Sequence, residues 1–206
     1  AKALAKGIRG YDVELAFESM VHSADTDIRG LPHDRAQGFV PADQEGVSVS
    51  KTLEYAYDDW CIARMASMLG KQADYNEYMR RAQYYKNVFD ASSGFMRAKN
   101  NETWHTPFDP AEVNLNYTEA NSWQYSFYVP QDVSGLINLM GGKFEFNAKL
   151  DALFSASEQT TGRDQADITG LIGQYAHGNE PSHHITHMYN FVGQSWKTQE
   201  LTNEIM

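Results

Sequence analysis

Apolar residues recur at helical spacing along much of the chain. Between Ser50 and Leu69, the positions Leu53, Tyr57, Trp60 or Cys61, Met65 and Met68 line one face of a helix, with Ser50 as candidate N-cap and Gly70 as stop. After a very short break, Tyr75, Tyr78, Met79, Ala82, Tyr85 and Phe89 repeat the i, i+3, i+4, i+7 pattern, which predicts an antiparallel helical hairpin. Similar patterns predict helices over 12–22, 133–140, 146–156 and 185–192, with Gly141 and Gly193 among the stops. The strip 168–172 fits a strand or a helix. Long polar and aromatic segments, 24–49, 92–116 and 160–181, lie between these elements, and their aromatic content argues for function rather than disorder. No strict repeat marks a regular solenoid. The predicted class is predominantly all-α: helical hairpins with elaborated loops.

Composition narrows the function. The 206 residues, 42% of them apolar, suffice for one compact domain or a large part of one. A formal charge of -10 has the wrong sign for neutralising phosphates, so nucleic acid is not an expected partner. Twelve Tyr and four Trp offer flat apolar faces with polar edges, which suit sugars and a plain helical core alike. Cys61 cannot form an internal disulfide and falls in an apolar helical pattern, so a buried, inert thiol is expected. No apolar stretch approaches the ~18 residues of a membrane span. The first residue is Ala and no signal-peptide pattern is present, so the chain reads as excised from something longer.

Two segments concentrate reactive side chains. The first, Tyr117-Thr118-Glu119-Ala120-Asn121-Ser122-Trp123-Gln124-Tyr125, sets one carboxyl among amides and rings. Desolvation there would raise its pKa and let it donate a proton at neutral pH. Equally, Glu119 can belong to a helix start capped by Thr118, and Trp123 can be core or a sugar platform. The second, Gln174-Tyr175-Ala176-His177-Gly178-Asn179-Glu180-Pro181-Ser182-His183-His184, places Asn and Glu oxygens beside Gly and Pro, ligands suited to a hard cation such as calcium. A loop closed by structural hydrogen bonds is the competing reading. His183 and His184 point apart on any regular element, and His184-Ile-Thr-His187 lacks the Glu of a zinc protease motif. Glu54 and Asp58, four residues apart on one helix face, repel each other unless a cation, a substrate hydroxyl or a hydrogen-bond network accommodates them. Gly94-Phe95-Met96-Arg97 adds a guanidinium, either for hydroxyl or carboxylate contacts or for anchoring a loop.

Together, the segments Ser48 to Trp60, Gly94 to Arg97, Pro107-Phe108-Asp109-Pro110, Tyr117 to Tyr125 and Gly173 to His184 resemble, in collinear order over essentially the whole chain, glycoside hydrolase family 92, the calcium-dependent exo-acting α-mannosidases. The resemblance implies a partial (α/α)6 toroid of helical hairpins, with residues 1–206 a fragment of one helical catalytic domain. The N-terminal β-sandwich and the C-terminal part of the toroid are then expected outside it. It implies inverting hydrolysis of terminal α-linked mannose, in which an acid protonates the leaving oxygen while a base activates water opposite. Glu119 is the implied general acid, Asn179 and Glu180 the implied calcium ligands, and His177, Trp123 and Arg97 the implied substrate contacts. The family's base lies in a motif beyond the Trp196 to Glu200 region, so the fragment alone is expected to be inactive. The implied partners are a mannose-containing glycan and the remainder of the catalytic domain, and the implied compartment is periplasmic, secreted or cell-surface. Gln131 stands where the family pattern has His; Gly178 stands where members cutting α-1,2 bonds often have Glu, which speaks against an α-1,2 preference. The alternative from another class is a helical glycan-binding module without hydrolytic activity.

Overall fold

A computed structural model describes all 206 residues. Nine α-helices appear in chain order: α1 (Lys2–Ala5), α2 (Val13–Ala24), α3 (Leu31–Gln37), α4 (Ser48–Met68), α5 (Gln72–Arg81), α6 (Ser122–Tyr125), α7 (Val133–Leu139), α8 (Lys143–Ser155) and α9 (Ser195–Ile205). Strands are all two residues long and pair only in twos. Helix α4 is the axis on which the rest is assembled. Its first half contributes Val49, Leu53 and Ala56 to the main core, which also takes in Tyr125, Phe127, Leu136, Phe146 and Leu150. Its second half contributes Ile62, Ala63, Met65 and Ala66 to a smaller core under α1, α2 and α5.

The predicted hairpin of 50–69 and 75–89 is present as α4 and α5, and the left-handed Gly70 (φ 73°) ends α4 as expected. The second arm differs after Arg81: Tyr84–Val88 is a 3-10 turn rather than more α-helix. The start of α4 also differs. Ser50 is no N-cap but lies inside the helix. The first amides of α4 are satisfied from outside instead, Val47 N–H donating to the Leu115 carbonyl and Val49 N–H to that of Asn116 (3.1 Å). Helix α2 starts as expected, with Asp12 Oδ1 accepting from Leu15 N–H at 3.0 Å. Residues 185–192 form a 3-10 helix, and 168–172 resolves into the strand Leu171–Ile172, paired antiparallel with Tyr175–Ala176. Cys61 is half-buried, less enclosed than its sequence setting suggests.

Arg81 binds the small core together. Its Nε donates to Asp59 Oδ2 (2.9 Å) and its Nη1 to Asp25 Oδ1 (3.0 Å), tying α4 and the end of α2 to α5. Asp34 on α3 is 1% exposed, and neither carboxyl oxygen has a hydrogen-bond partner. Burial pushes its pKa from 3.8 to about 7 against the pull of Arg81 and Arg35. The unfolded chain therefore loses this proton near pH 4 and the folded protein keeps it to about pH 7, so stability falls as pH rises through that window. Asp34→Asn removes the titration. Its melting temperature is expected to exceed that of the parent at pH 8 and to match it near pH 4; a variant melting no higher at pH 8 contradicts the assignment.

Candidate active site

The two polar-aromatic segments meet, and a buried amide network is what joins them. Asn121, fully buried, caps α6 in a reciprocal capping box: its Oδ1 accepts from Trp123 N–H (3.0 Å), while its own N–H donates to Gln124 Oε1 (2.9 Å). Asn121 Nδ2 donates to Gln174 Oε1 (2.8 Å), and Gln124 Nε2 donates to the Gln174 carbonyl (2.9 Å). Gln174 Nε2 continues to the Ser157 (2.6 Å) and Gln159 (3.1 Å) carbonyls. Every member finds partners, so the network is rigid and specifies one alignment of the two segments.

Glu119 lies just before this cap. It adopts φ 54°, a left-handed conformation uncommon for a residue with a Cβ and costing about 1 kcal/mol. The loop is held on both sides. Thr118 N–H donates to Ser50 Oγ on α4 (2.8 Å), Tyr117 OH to the Met96 carbonyl (2.8 Å), and Asn179 Nδ2 to the carbonyl of Glu119 itself (2.9 Å). The carboxylate is exposed and makes no hydrogen bond within the chain, so the desolvated setting expected from the sequence is absent in the ligand-free protein. Thr118 does not cap a helix over Glu119; Asn121 caps the helix that follows.

Asn179 is 4% exposed and opens a short 3-10 turn, Glu180–Ser182, on which Glu180 is exposed. Asn179 Oδ1 and the Glu180 carboxylate are neighbouring hard oxygen donors, of the chemistry calcium takes. They fit part of a calcium shell: no three acidic, His or Cys side chains gather closely enough to enclose an ion.

His177 is exposed, with Nδ1 2.9 Å from the buried Tyr175 hydroxyl, and His183 stacks on it at 4.8 Å and donates from Nε2 to its backbone carbonyl (3.0 Å). His184 faces the other way, its Nε2 donating to the Phe127 carbonyl (2.8 Å) beside Tyr128, and burial depresses its pKa. The two histidines diverge as expected. Gly178 is exposed, yet an added Cβ would run into the Thr169 hydroxyl and the Asp167 carbonyl.

Arg97 and Trp123 form a separate group. Arg97 Nη1 donates to Asp90 (2.9 Å), Nε and Nη2 donate to the His105 carbonyl (3.0 and 2.8 Å), and the guanidinium lies over Phe108. Burial opposes charge on Asp90, but hydrogen bonds from Ser92 and Arg97 overcome it and hold the pKa at about 2. Trp123 meets Phe95 edge to face, and Lys149 lies over both rings. Glu54, whose proximity to Asp58 needed accommodation, accepts from Tyr125 OH (3.1 Å); burial, partly countered by that bond and reinforced by Asp58, raises its pKa.

Glu119 and the Asn179–Glu180 edge thus sit together on one mainly helical scaffold, joined by the hydrogen bond from Asn179. The model of the glycosyl hydrolase family 92 catalytic domain matches residues 1–206, and the chain belongs to that family. It superposes with a TM-score of 0.91 and 41% identity on a family 92 α-mannosidase from Bacteroides thetaiotaomicron solved with mannoimidazole, covering 98% of this chain and 28% of that one. A family 92 inverting mannosidase from Bacteroides thetaiotaomicron VPI-5482 gives 0.86 and 35%, over 98% and 30%. An uncharacterized secreted glycosidase of Arthroderma benhamiae is 28% identical over 235 residues, 94% of this chain and 28% of its own length. The chain thus spans less than a third of the relatives it matches. Its helical hairpins with long loops are part of an (α/α)6-type domain, as in those structures. No helix is long and apolar enough to cross a membrane.

Proposed function

We propose that the complete protein removes terminal α-linked mannose from glycans by an inverting, calcium-dependent reaction, and that this chain carries its acid side. The observation that carries the reading is the hydrogen bond from Asn179 to the Glu119 carbonyl, which sets the candidate acid and the candidate calcium edge at one locus. Glu119 in its protonated form donates to the glycosidic oxygen as the bond to the anomeric carbon breaks, so the leaving sugar departs as an alcohol. Its carboxyl is free of protein partners and accessible, as a group that must meet substrate requires. His177 faces the leaving sugar, and Trp123 with Arg97 shapes the approach as a packed wall. Asn179 and Glu180 contribute to a calcium shell completed by other ligands, and calcium there would supply positive charge against sugar hydroxyls. The base that activates water comes from outside this chain, so the chain alone is inactive; its share of the relatives' length is consistent with that. A secreted compartment is proposed from the Arthroderma relative.

Calcium removal tests the metal assignment. After dialysis against a chelator, mannose release by the complete protein is expected to be lost, and added calcium is expected to restore it. An undiminished rate in the chelated enzyme sinks the calcium reading.

A further inference from the structure

We infer that Tyr175 is a positioning residue that fixes the tautomer of His177, so that Nε2 carries the imidazole proton and is presented as a donor to a hydroxyl oxygen of the leaving sugar. The inference rests on the placement of His177 beside the leaving sugar and adds to it which atom meets the sugar, and why.

Tyr175 is 1% exposed, on the second strand of the Leu171–Ile172 and Tyr175–Ala176 hairpin, and its ring packs on Phe154 with centroids 5.1 Å apart. Its hydroxyl has one partner in the chain, His177 Nδ1 at 2.9 Å. A phenol O–H is a far better donor than the N–H of a neutral imidazole, and an imidazole nitrogen a far better acceptor than a phenol oxygen. The proton in this bond therefore belongs to the tyrosine, whose pKa burial pushes up to about 12. With Nδ1 accepting, a neutral His177 must hold its own proton on Nε2, the ring nitrogen that the buried tyrosine does not engage, in a residue that is itself exposed.

The ring cannot easily turn to undo this. His183 stacks on it at 4.8 Å with 28° between planes, and His183 Nε2–H is tied to the His177 carbonyl. The backbone is pinned as well, His177 N–H donating to the Gly170 carbonyl (3.2 Å) and Gly178 N–H to that of Thr169 (2.9 Å). These contacts set the orientation, and the one from Tyr175 sets the proton. A substrate hydroxyl oxygen with a free lone pair is the matching partner; a leaving group without hydroxyls gains nothing from it.

The test is Tyr175→Phe in the complete protein, which keeps the buried ring and deletes only the hydroxyl. Nitrogen-15 NMR of histidine-labelled protein at pH 8 is expected to show His177 as the Nε2–H tautomer in the parent and as a mixture in the variant. Kinetically, kcat/KM for a mannose disaccharide should fall by about twofold, the loss set by the fraction of an even mixture that no longer offers the Nε2 proton. For an aryl mannoside, whose leaving group has no sugar hydroxyls, it should stay unchanged. In a His177→Asn background, where the donor no longer depends on a tautomer, Tyr175→Phe should add nothing. A parent His177 protonated on Nδ1, or a Tyr175→Phe protein with the same tautomer as the parent, overturns the inference, as does an equal loss on both substrates. Absence of mannose release by the parent enzyme would remove the mannosidase reading, and the tautomer spectra would still decide this one.

Discussion

Replacing Glu119 by Gln in the complete protein is expected to cut mannose release from a disaccharide by roughly a hundred- to ten-thousand-fold, the range that a positioned general acid supplies. Gln has the same shape, and the side chain it replaces is exposed with no partner in the chain, so the fold has no reason to change. What is lost is the proton. A disaccharide needs it, because a sugar alkoxide is a poor leaving group. A dinitrophenyl mannoside does not, because its phenolate leaves unaided. The deficit in kcat/KM should therefore shrink sharply for the activated substrate. Equal deficits for both, or none for the disaccharide, would remove Glu119 from the role of acid.

The largest effect on stability is expected at Gln174, a residue that takes no part in the chemistry itself. Its side chain accepts from the fully buried Asn121 and donates to the carbonyls of Ser157 and Gln159, two residues at the surface. Gln174→Ala strands the buried Asn121 amide, and a buried polar group left unpaired costs more than the bond gained in folding it, while the Ser157 and Gln159 carbonyls turn to water. A loss of about 1–3 kcal/mol follows. It should appear as a lower denaturant midpoint with unchanged slope, accompanied by weaker mannose release, because the same amide aligns the Glu119 loop with the His177 loop. A midpoint shift below about 0.5 kcal/mol, the size of an ordinary surface change, would mean that the network does not hold the segments together.

Parts of this arrangement were legible in the sequence for clear reasons. The α4–α5 hairpin was readable because its apolar residues keep helical spacing over many turns and Gly70 ends the first arm. The start of α4 was misplaced because the loop at 115–116 satisfies its first amides, a contact between residues some seventy positions apart that no local pattern contains. Over the eight residues 185–192, a period of three and one of 3.6 place apolar side chains almost alike, so the 3-10 helix could not be told from α. At the site, the residue types of both segments suggested their chemistry, but not their meeting, which depends on Gln174, a residue with no chemical signature of its own. Tyr175 carries no recognisable role in the sequence, since only the fold places its hydroxyl against His177 Nδ1. The buried Asp34 and the Asp59–Arg81 pair passed unnoticed because sequence does not reveal which carboxyls lose their water.

The left-handed backbone of Glu119 has a consequence for how this position can evolve. Glycine would sit there without strain and would make the loop more stable, yet it has no carboxyl to offer. Selection for a sturdier protein and selection for a working one therefore pull the same codon in opposite directions. A lineage freed from the need to cleave sugars would be expected to drift towards glycine or asparagine at 119 early, leaving the amide network around Gln174 intact as the trace of a lost activity.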